Sequence, residues 1–228
     1  TTLITEAVKA VHDSEIALVF VGSSSTAFVR HSNEPSTSGE GIDLSDISLT
    51  GAQEQLIRSV CATGKPVVVV LVVGKPFAIP YIKEKVPAIL AQWYAGEQAG
   101  NSIAHILFGK VNPSGKLPFS FPQSTGHLPA YYNYLPTDKG YYKEPGTYTS
   151  PGRDYVFSSP APLWTFGHGL SYTRFEYVQA TTDKTSYQPH DTIRISVKVK
   201  NSGELAGKEV VQIYIHDVVS TVMTPVKQ

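Results

Sequence analysis

A single cysteine, Cys61, occurs in the 228-residue chain, so no internal disulfide is possible. Metal-ligand spacing is missing too: the seven histidines (His12, His31, His105, His127, His168, His190, His216) are scattered, with no His-Glu-x-x-His and no Cys/His cluster. Neither charge sign is in excess, 19 Lys+Arg against 19 Asp+Glu, so no overall field recruits nucleic acid or an anionic membrane. No apolar run reaches the roughly 18 residues of a membrane span, and no basic stretch leads residues 1–20 into a signal-peptide core. Gly-x-Gly-x-x-Gly and Walker patterns are absent, which removes the usual nucleotide signatures. What remains is a globular protein expected to use no cofactor and no metal, and best suited to a neutral ligand. Its aromatic share of 11%, with 13 Tyr and 2 Trp, suits sugar stacking and equally suits packing.

The first half alternates helix and strand signals. Leu3, Ile4, Ala7, Val8 and Val11 recur at helical spacing, and the apolar run Ile16–Gly22 reads as a buried strand. Thr50 and Gln53 form a capping-box pattern ahead of a helix over 51–62. The seven consecutive Val or Leu residues Val67–Val73 are too uniformly apolar for a half-exposed strand and predict a central one, covered on both faces. A short helix at 77–85, a strand at 88–94 and a helix at 101–108 complete the alternation, which implies a mostly parallel sheet with flanking helices. Only three strands fit and a helix comes first, so the sandwich is expected to be incomplete, its first strands lying elsewhere. Residues 111–172 hold more than half of the sixteen prolines and eight of the thirteen tyrosines, an ordered excursion rather than a disordered linker. From Thr185 the pattern alternates: Ile193, Ile195, Val197 and Val199, a turn at Asn201-Ser-Gly203, then Val210, Val211, Ile213 and Ile215. That spacing predicts a β-hairpin of an antiparallel sandwich, cut short of its roughly seven strands.

Chemistry points first to Thr37-Ser-Gly-Glu-Gly-Ile-Asp43, where Glu40 stands between two glycines in a polar loop after the first strand. Loops beyond the carboxyl ends of parallel strands are where such sheets hold ligands, and flanking glycines let the backbone bring a side chain close. Glu34, in the same loop, is the fallback acid. Glu97 is expected to accept backbone hydrogen bonds or cap the following helix, and Trp93 and Tyr94 to serve packing. A contrasting reading is a non-catalytic binding module, in which Asp43, Asp46 and the hydroxyls of Ser23, Ser24, Ser25, Ser36 and Ser38 hold a polyol without cleaving it, or Gly22–Ser25 cradles a phosphate.

The ordered set Ser38-Gly-Glu-Gly41, Leu49-Thr-Gly-Ala-Gln53, Lys65–Val70, Gln92-Trp-Tyr-Ala-Gly-Glu97, Asn112-Pro-Ser-Gly-Lys-Leu-Pro118, Phe121-Pro122 and Phe166-Gly-His-Gly-Leu-Ser-Tyr172 resembles the C-terminal half of family 3 glycoside hydrolases, closest to the β-glucosidase and β-xylosidase branch. The resemblance implies an α/β sandwich domain over 1–122, a connecting segment over 123–178 and the start of a fibronectin-III-like domain over 179–228. It also implies an N-terminal catalytic barrel that these residues do not contain.

By the same resemblance the activity would be that of a retaining β-glycosidase, acting on terminal β-glucosyl or β-xylosyl residues. Its nucleophile would be a barrel aspartate with no counterpart here, and Glu40 would be the general acid/base. The chain would then be a C-terminal fragment, inactive alone, with the missing barrel and a glycoside as its partners. Likeness to bacterial members implies a secreted or periplasmic enzyme. Where many relatives read Asp-Arg after the motif, this chain has Asp43-Leu44, losing a cation that could order the loop. The stretch Ala27–Pro35 before the motif is also long for the family.

Overall fold

The structure, a computed structural model, describes residues 2–25, 36–41, 43–133, 147, 149, 155 and 158–225. It divides into two units: Thr1–Gly100, Leu117–Phe166 and Tyr214–Gln228 form the first, and Asn101–Lys116 with Gly167–Ile213 the second.

In the first unit, helix α1 (Thr2–His12), strand β1 (Ala17–Gly22), helix α2 (Gln53–Cys61), strand β2 (Val67–Val72), helix α3 (Pro80–Lys85) and strand β3 (Ala88–Ala91) follow the expected alternation. The three strands form a parallel sheet in the order β1-β2-β3. β1 pairs with β2 from Ala17↔Val67 to Gly22↔Val72, and β2 with β3 from Val68↔Ala88 to Leu71↔Ala91. β2 is therefore central, as its unbroken apolar sequence predicts. Successive strand residues face opposite sides, and the two sides differ here. Ala17, Val19 and Val21 of β1 and Val67, Val69 and Leu71 of β2 are all buried and share one core with Val11, Ile57 and Val60 of the helices. On the other side Val70 is fully buried, Val68 and Val72 are half-buried, and Leu18 and Phe20 of β1 are exposed. Coverage of both faces thus holds at the middle of β2 and fails over β1, because α1 and α2, which pack on each other, lie against the buried side of β1. Arg58 joins α2 to α3 by placing its guanidinium 3.6 Å from the centre of the Tyr81 ring while bonding Glu54 one turn earlier.

The capping box does not form. The residue preceding α2 is Ala52, which makes no side-chain cap, and the Gln53 amide bonds the end of β1 and the Thr50 carbonyl instead of an N-cap N–H. Residues 117–122 and 160–164 add an aromatic layer: Phe121 donates its N–H to the Trp164 carbonyl and its carbonyl accepts the Leu163 N–H, and Trp93 meets Phe119 edge-on at 5.1 Å. Tyr132 stacks on Phe166 at 4.1 Å, whereas Tyr131 is exposed.

In the second unit, helix α4 (Ala99–Leu107, all but its start) accompanies an antiparallel pair, β4 (Phe175–Thr182) and β5 (Ile195–Asn201). The expected hairpin between 191–200 and 208–216 is overturned: β5 pairs with β4, and 208–216 carries no strand. The alternation in β5 marks a strand without marking its partner, and β4 escapes a period-two reading because its register shifts between Tyr177 and Gln179, changing the facing phase midway. Asn112 is the staple of this unit. Its Oδ1 accepts from the Ser171 hydroxyl and the Tyr172 N–H, both at 2.8 Å, and its Nδ2 donates to the Ala206 carbonyl. Lys116 reaches the Gly169 carbonyl and Glu209, and Tyr172 Oη donates to the Ile106 carbonyl. A Cβ on Gly169 would run into the Gly115 carbonyl, which explains a glycine there.

His127, 7% exposed, closes a 3₁₀ turn in the first unit and accepts the Gln123 N–H at Nδ1 (3.1 Å). Burial pushes its imidazole below the ordinary value, outweighing a hydrogen bond to the Pro160 backbone. The unfolded chain therefore binds this proton more readily than the folded one. Stability is full above about pH 6.5 and falls as the pH drops below it. Denaturant midpoints measured from pH 7.5 to 5.5 should decline for the wild type and stay flatter for His127→Gln.

Candidate active site

β1 ends in Gly22, and hydrogen bonds from three directions hold this residue and Ser23 beyond it. Gln53 Oε1 accepts the Gly22 N–H at 2.6 Å while its Nε2 donates to the Gly22 carbonyl at 2.9 Å. Ser23 donates its N–H to the Val72 carbonyl of β2. Tyr94, three residues past β3, donates to the Ser23 carbonyl at 2.8 Å and pairs with the Ser23 hydroxyl at 2.9 Å. The turn carrying Tyr94 there is strained: Trp93 has φ 59, a left-handed conformation costing a non-glycine residue on the order of 1 kcal/mol. All these groups gather at the carboxyl ends of the three parallel strands.

Here the loop of Glu40 is anchored at both ends. On the entering limb the Ser24 carbonyl accepts the N–H groups of Thr37 (3.1 Å) and Ser38 (2.9 Å), and the Thr37 hydroxyl accepts the Ser24 N–H (2.9 Å). On the leaving limb Ile47 and Leu49 are buried, and the Ile47 carbonyl accepts the Ala78 N–H at 2.9 Å. Asp46 grips Ser48 through its N–H and hydroxyl and also bonds Thr125, and these bonds, the Ser48 N–H first, hold its carboxyl below the usual range. Between the limbs, Gly39 and Gly41 have φ of 78 and 70, so the chain turns left-handed on each side of Glu40. The result lifts an exposed glutamate over the strand ends.

Glu40 is not left to solvent alone. The buried Ser25 hydroxyl donates to its Oε2, and its own N–H donates to the Ser38 hydroxyl at 3.3 Å. Lys75, just beyond β2, is half-buried. Burial lowers its pKa, and the negative charge of Asp43 acts the other way. A cation does stand near Asp43, then, although position 44 is leucine. Three of the five hydroxyls read as possible polyol ligands are engaged: Ser23 with Tyr94, Ser25 with Glu40, Ser38 with the Glu40 N–H. Glu34 lies outside the described residues. Glu97 is exposed, and the turn into α4 is closed by Gly96, whose carbonyl accepts the Ala99 N–H. Sequence reasoning found Glu40 but missed the parts of Ser25, Gln53 and Lys75, whose only signals were a serine run, a misread capping pattern and a lone lysine after a strand.

Residues 1–172 match the C-terminal domain of glycosyl hydrolase family 3. The chain belongs to glycoside hydrolase family 3. Among the relatives it resembles, a β-xylosidase of Formosa agariphila is 40% identical over 216 residues, covering 93% of this chain and 27% of its own length. A periplasmic β-glucosidase of Salmonella typhimurium is 39% identical over 227 residues, covering 99% and 28%. Among solved structures, a β-glucosidase from Erythrobacter marinus matches with a TM-score of 0.84 at 40% identity, over 100% of this chain and 28% of its own. One from Listeria innocua matches with 0.84 at 33%, over 99% and 29%. This chain spans a little over a quarter of the length of these relatives.

Gln53→Ala removes both bonds to Gly22 and leaves the end of β1 held from the β2 and β3 side only. We expect a loss of about 1–3 kcal/mol, read by denaturant unfolding, with faster amide exchange at Gly22 and Ser24 and little change in the second unit.

Proposed function

We propose that Glu40 is the general acid/base of a retaining β-glycosidase, acting on terminal β-glucosyl or β-xylosyl residues together with a carboxylate nucleophile outside this chain. The observation that supports it is the glycine-bracketed carboxylate held over the strand ends in a chain of family 3, whose relatives are β-glucosidases and β-xylosidases. In glycosylation, the Glu40 carboxylic acid gives its proton to the glycosidic oxygen as the bond to the anomeric carbon breaks and the nucleophile bonds that carbon. In deglycosylation, the Glu40 carboxylate takes a proton from water, whose oxygen displaces the nucleophile with net retention. An exposed carboxylate on a loop anchored at both ends suits a group that must face a substrate bound by another part of the protein.

The same reading assigns 1–122 to the family's α/β sandwich domain, 123–178 to a connecting segment, and 179–228 to the start of a fibronectin-III-like domain. The name of the Salmonella relative supports a periplasmic or secreted setting.

Two outcomes test the assignment. The 228-residue chain alone should not turn over aryl β-glycosides, since it would lack the nucleophile; turnover with stoichiometric labelling by a mechanism-based inactivator would reject the division of labour. In the full-length enzyme, Glu40→Ala should slow substrates with poor leaving groups by about 10²–10⁴-fold. Activated aryl substrates should lose less in glycosylation, and azide should restore deglycosylation. If Glu34→Ala gave that profile and Glu40→Ala did not, the role would pass to Glu34; if neither did, the chain would be read as a non-catalytic carbohydrate-binding module.

A further inference from the structure

We infer that the ring of Tyr94 is the surface on which the leaving group of the substrate stacks, and that this leaving group is itself a sugar, so that the preferred substrates are β-linked di- and oligosaccharides. This rests on the reading of Glu40 as acid/base and goes beyond it by naming what lies on the far side of the bond that Glu40 would protonate.

Three observations carry the inference. First, Tyr94 is turned the opposite way from a packing residue. A tyrosine at a protein surface usually buries its ring and gives its hydroxyl to water. Here the hydroxyl points back into the protein, donating to the Ser23 carbonyl at 2.8 Å and pairing with the Ser23 hydroxyl at 2.9 Å, while the residue stays 46% exposed. Second, the ring is fixed. Gly74, two residues past β2, lies so close that a Cβ there would stand 2.7 Å from Tyr94 Cε2. Held at its hydroxyl and backed by main chain, the ring has little freedom left to lose when a ligand settles on it. Third, the ring is in the right place. It sits at the carboxyl ends of the parallel strands, bonded to Ser23, whose neighbour Ser24 anchors the entering limb of the Glu40 loop through Thr37 and Ser38. The chain accepts a left-handed Trp93 to put it there, and strain of that kind gathers where proteins bind or react. Trp93 itself is packed against Phe119 and Phe121, so of the two adjacent aromatics it is Tyr94 that is offered to a ligand.

A pyranose carries its hydroxyls around the rim and C–H bonds on its faces. Such a face is apolar enough to bury against an aromatic ring, and the ring remains neutral, as the substrate is. A methyl leaving group has no face to offer. Stacking would therefore supply binding energy away from the bond that breaks, and hold the second sugar so that its glycosidic oxygen lies ready for the proton from Glu40. The two ends of the tyrosine have separate tasks: the hydroxyl ties down the end of β1, and the ring meets the ligand.

The test uses the full-length enzyme, with a β-linked disaccharide set against the methyl β-glycoside of the same sugar, in the glucose and the xylose series. Tyr94→Leu should lower kcat/KM for the disaccharide about tenfold, the scale of one aromatic contact, and leave the methyl glycoside within about twofold of wild type. Tyr94→Phe loses both bonds to Ser23 and keeps the ring. It should unfold at lower denaturant yet keep the wild-type preference for the disaccharide within about threefold. Should Tyr94→Leu fail to accumulate, Gly74→Ala pushes the ring from its seat and should give the same selective loss. An equal loss on both substrates, or a phenylalanine variant as impaired on the disaccharide as leucine, would show that Tyr94 acts only by holding the strand end. Either result would overturn the proposal while a steep Glu40→Ala leaving-group profile left the acid/base reading standing. A flat Glu40→Ala profile would remove that reading and this one together.

Discussion

The pairing of β1 with β2 is the constraint on which the site depends. Parallel strands bring all their carboxyl ends to one edge, so fixing the register Gly22↔Val72 also fixes where the chain leaves the sheet toward Glu40. Among the described residues β1 pairs with β2 on one side only, and half of it is exposed. Its end would fray without further bonds. The Gln53 amide supplies them from α2 and Tyr94 from beyond β3, which together make the last residues of β1 a fixed mount for a loop. The left-handed Trp93 shows the same demand from the other direction: backbone strain of this kind persists only where the surroundings overdetermine it, and Trp93 is packed against Phe119 and Phe121.

This arrangement separates rigidity from exposure. The buried side of the sheet, with Val19, Val69 and Leu71, gives the mount its stability, and among the described loop residues the buried apolar side chains are Ile47 and Leu49. On the proposed acid/base reading, the Glu40 carboxylate must hold its position relative to a reactant, and a short exposed crest between two anchored limbs suits that. Gly39 and Gly41 make that crest possible, and the bonds at Ser24 and Ile47 keep it narrow.

Much of the first unit is legible in the chain. Val67–Val73 announces a central strand, and every helix and strand of the α/β alternation appears within a few residues of its expected place. The errors have physical causes. Thr50 and Gln53 have capping spacing, yet a glutamine amide can serve a strand end as readily as a helix start, and local sequence holds no record of which tertiary partner is nearer. The strand partner of β5 is illegible for a related reason: alternation reports a one-sided environment, not the identity of the neighbour, and the register shift after Tyr177 erases it in β4. Glu40 can be found because glycines on both sides of a carboxylate are a local signal. Ser25 cannot, because its bond to Glu40 spans the loop and its identity as one of three serines carries no direction.

The sequence blocks most specific to family 3 do not all serve chemistry. Asn112-Pro-Ser-Gly and Gly-Leu-Ser-Tyr172 meet each other: one asparagine side chain satisfies the Ser171 hydroxyl, the Tyr172 N–H and the Ala206 carbonyl, while Lys116 of the first block bonds Gly169 of the second, where only glycine clears the Gly115 carbonyl. Three chain segments without regular secondary structure have no ladder to satisfy their polar groups, so side chains must do it, and an amide that both donates and accepts is among the few that can serve all three at once. Such a residue is as constrained in type as a catalytic one. Motif strength therefore marks where the chain has few alternatives, and in the second unit that scarcity arises from hydrogen-bond accounting, whereas at Glu40 it arises from backbone shape.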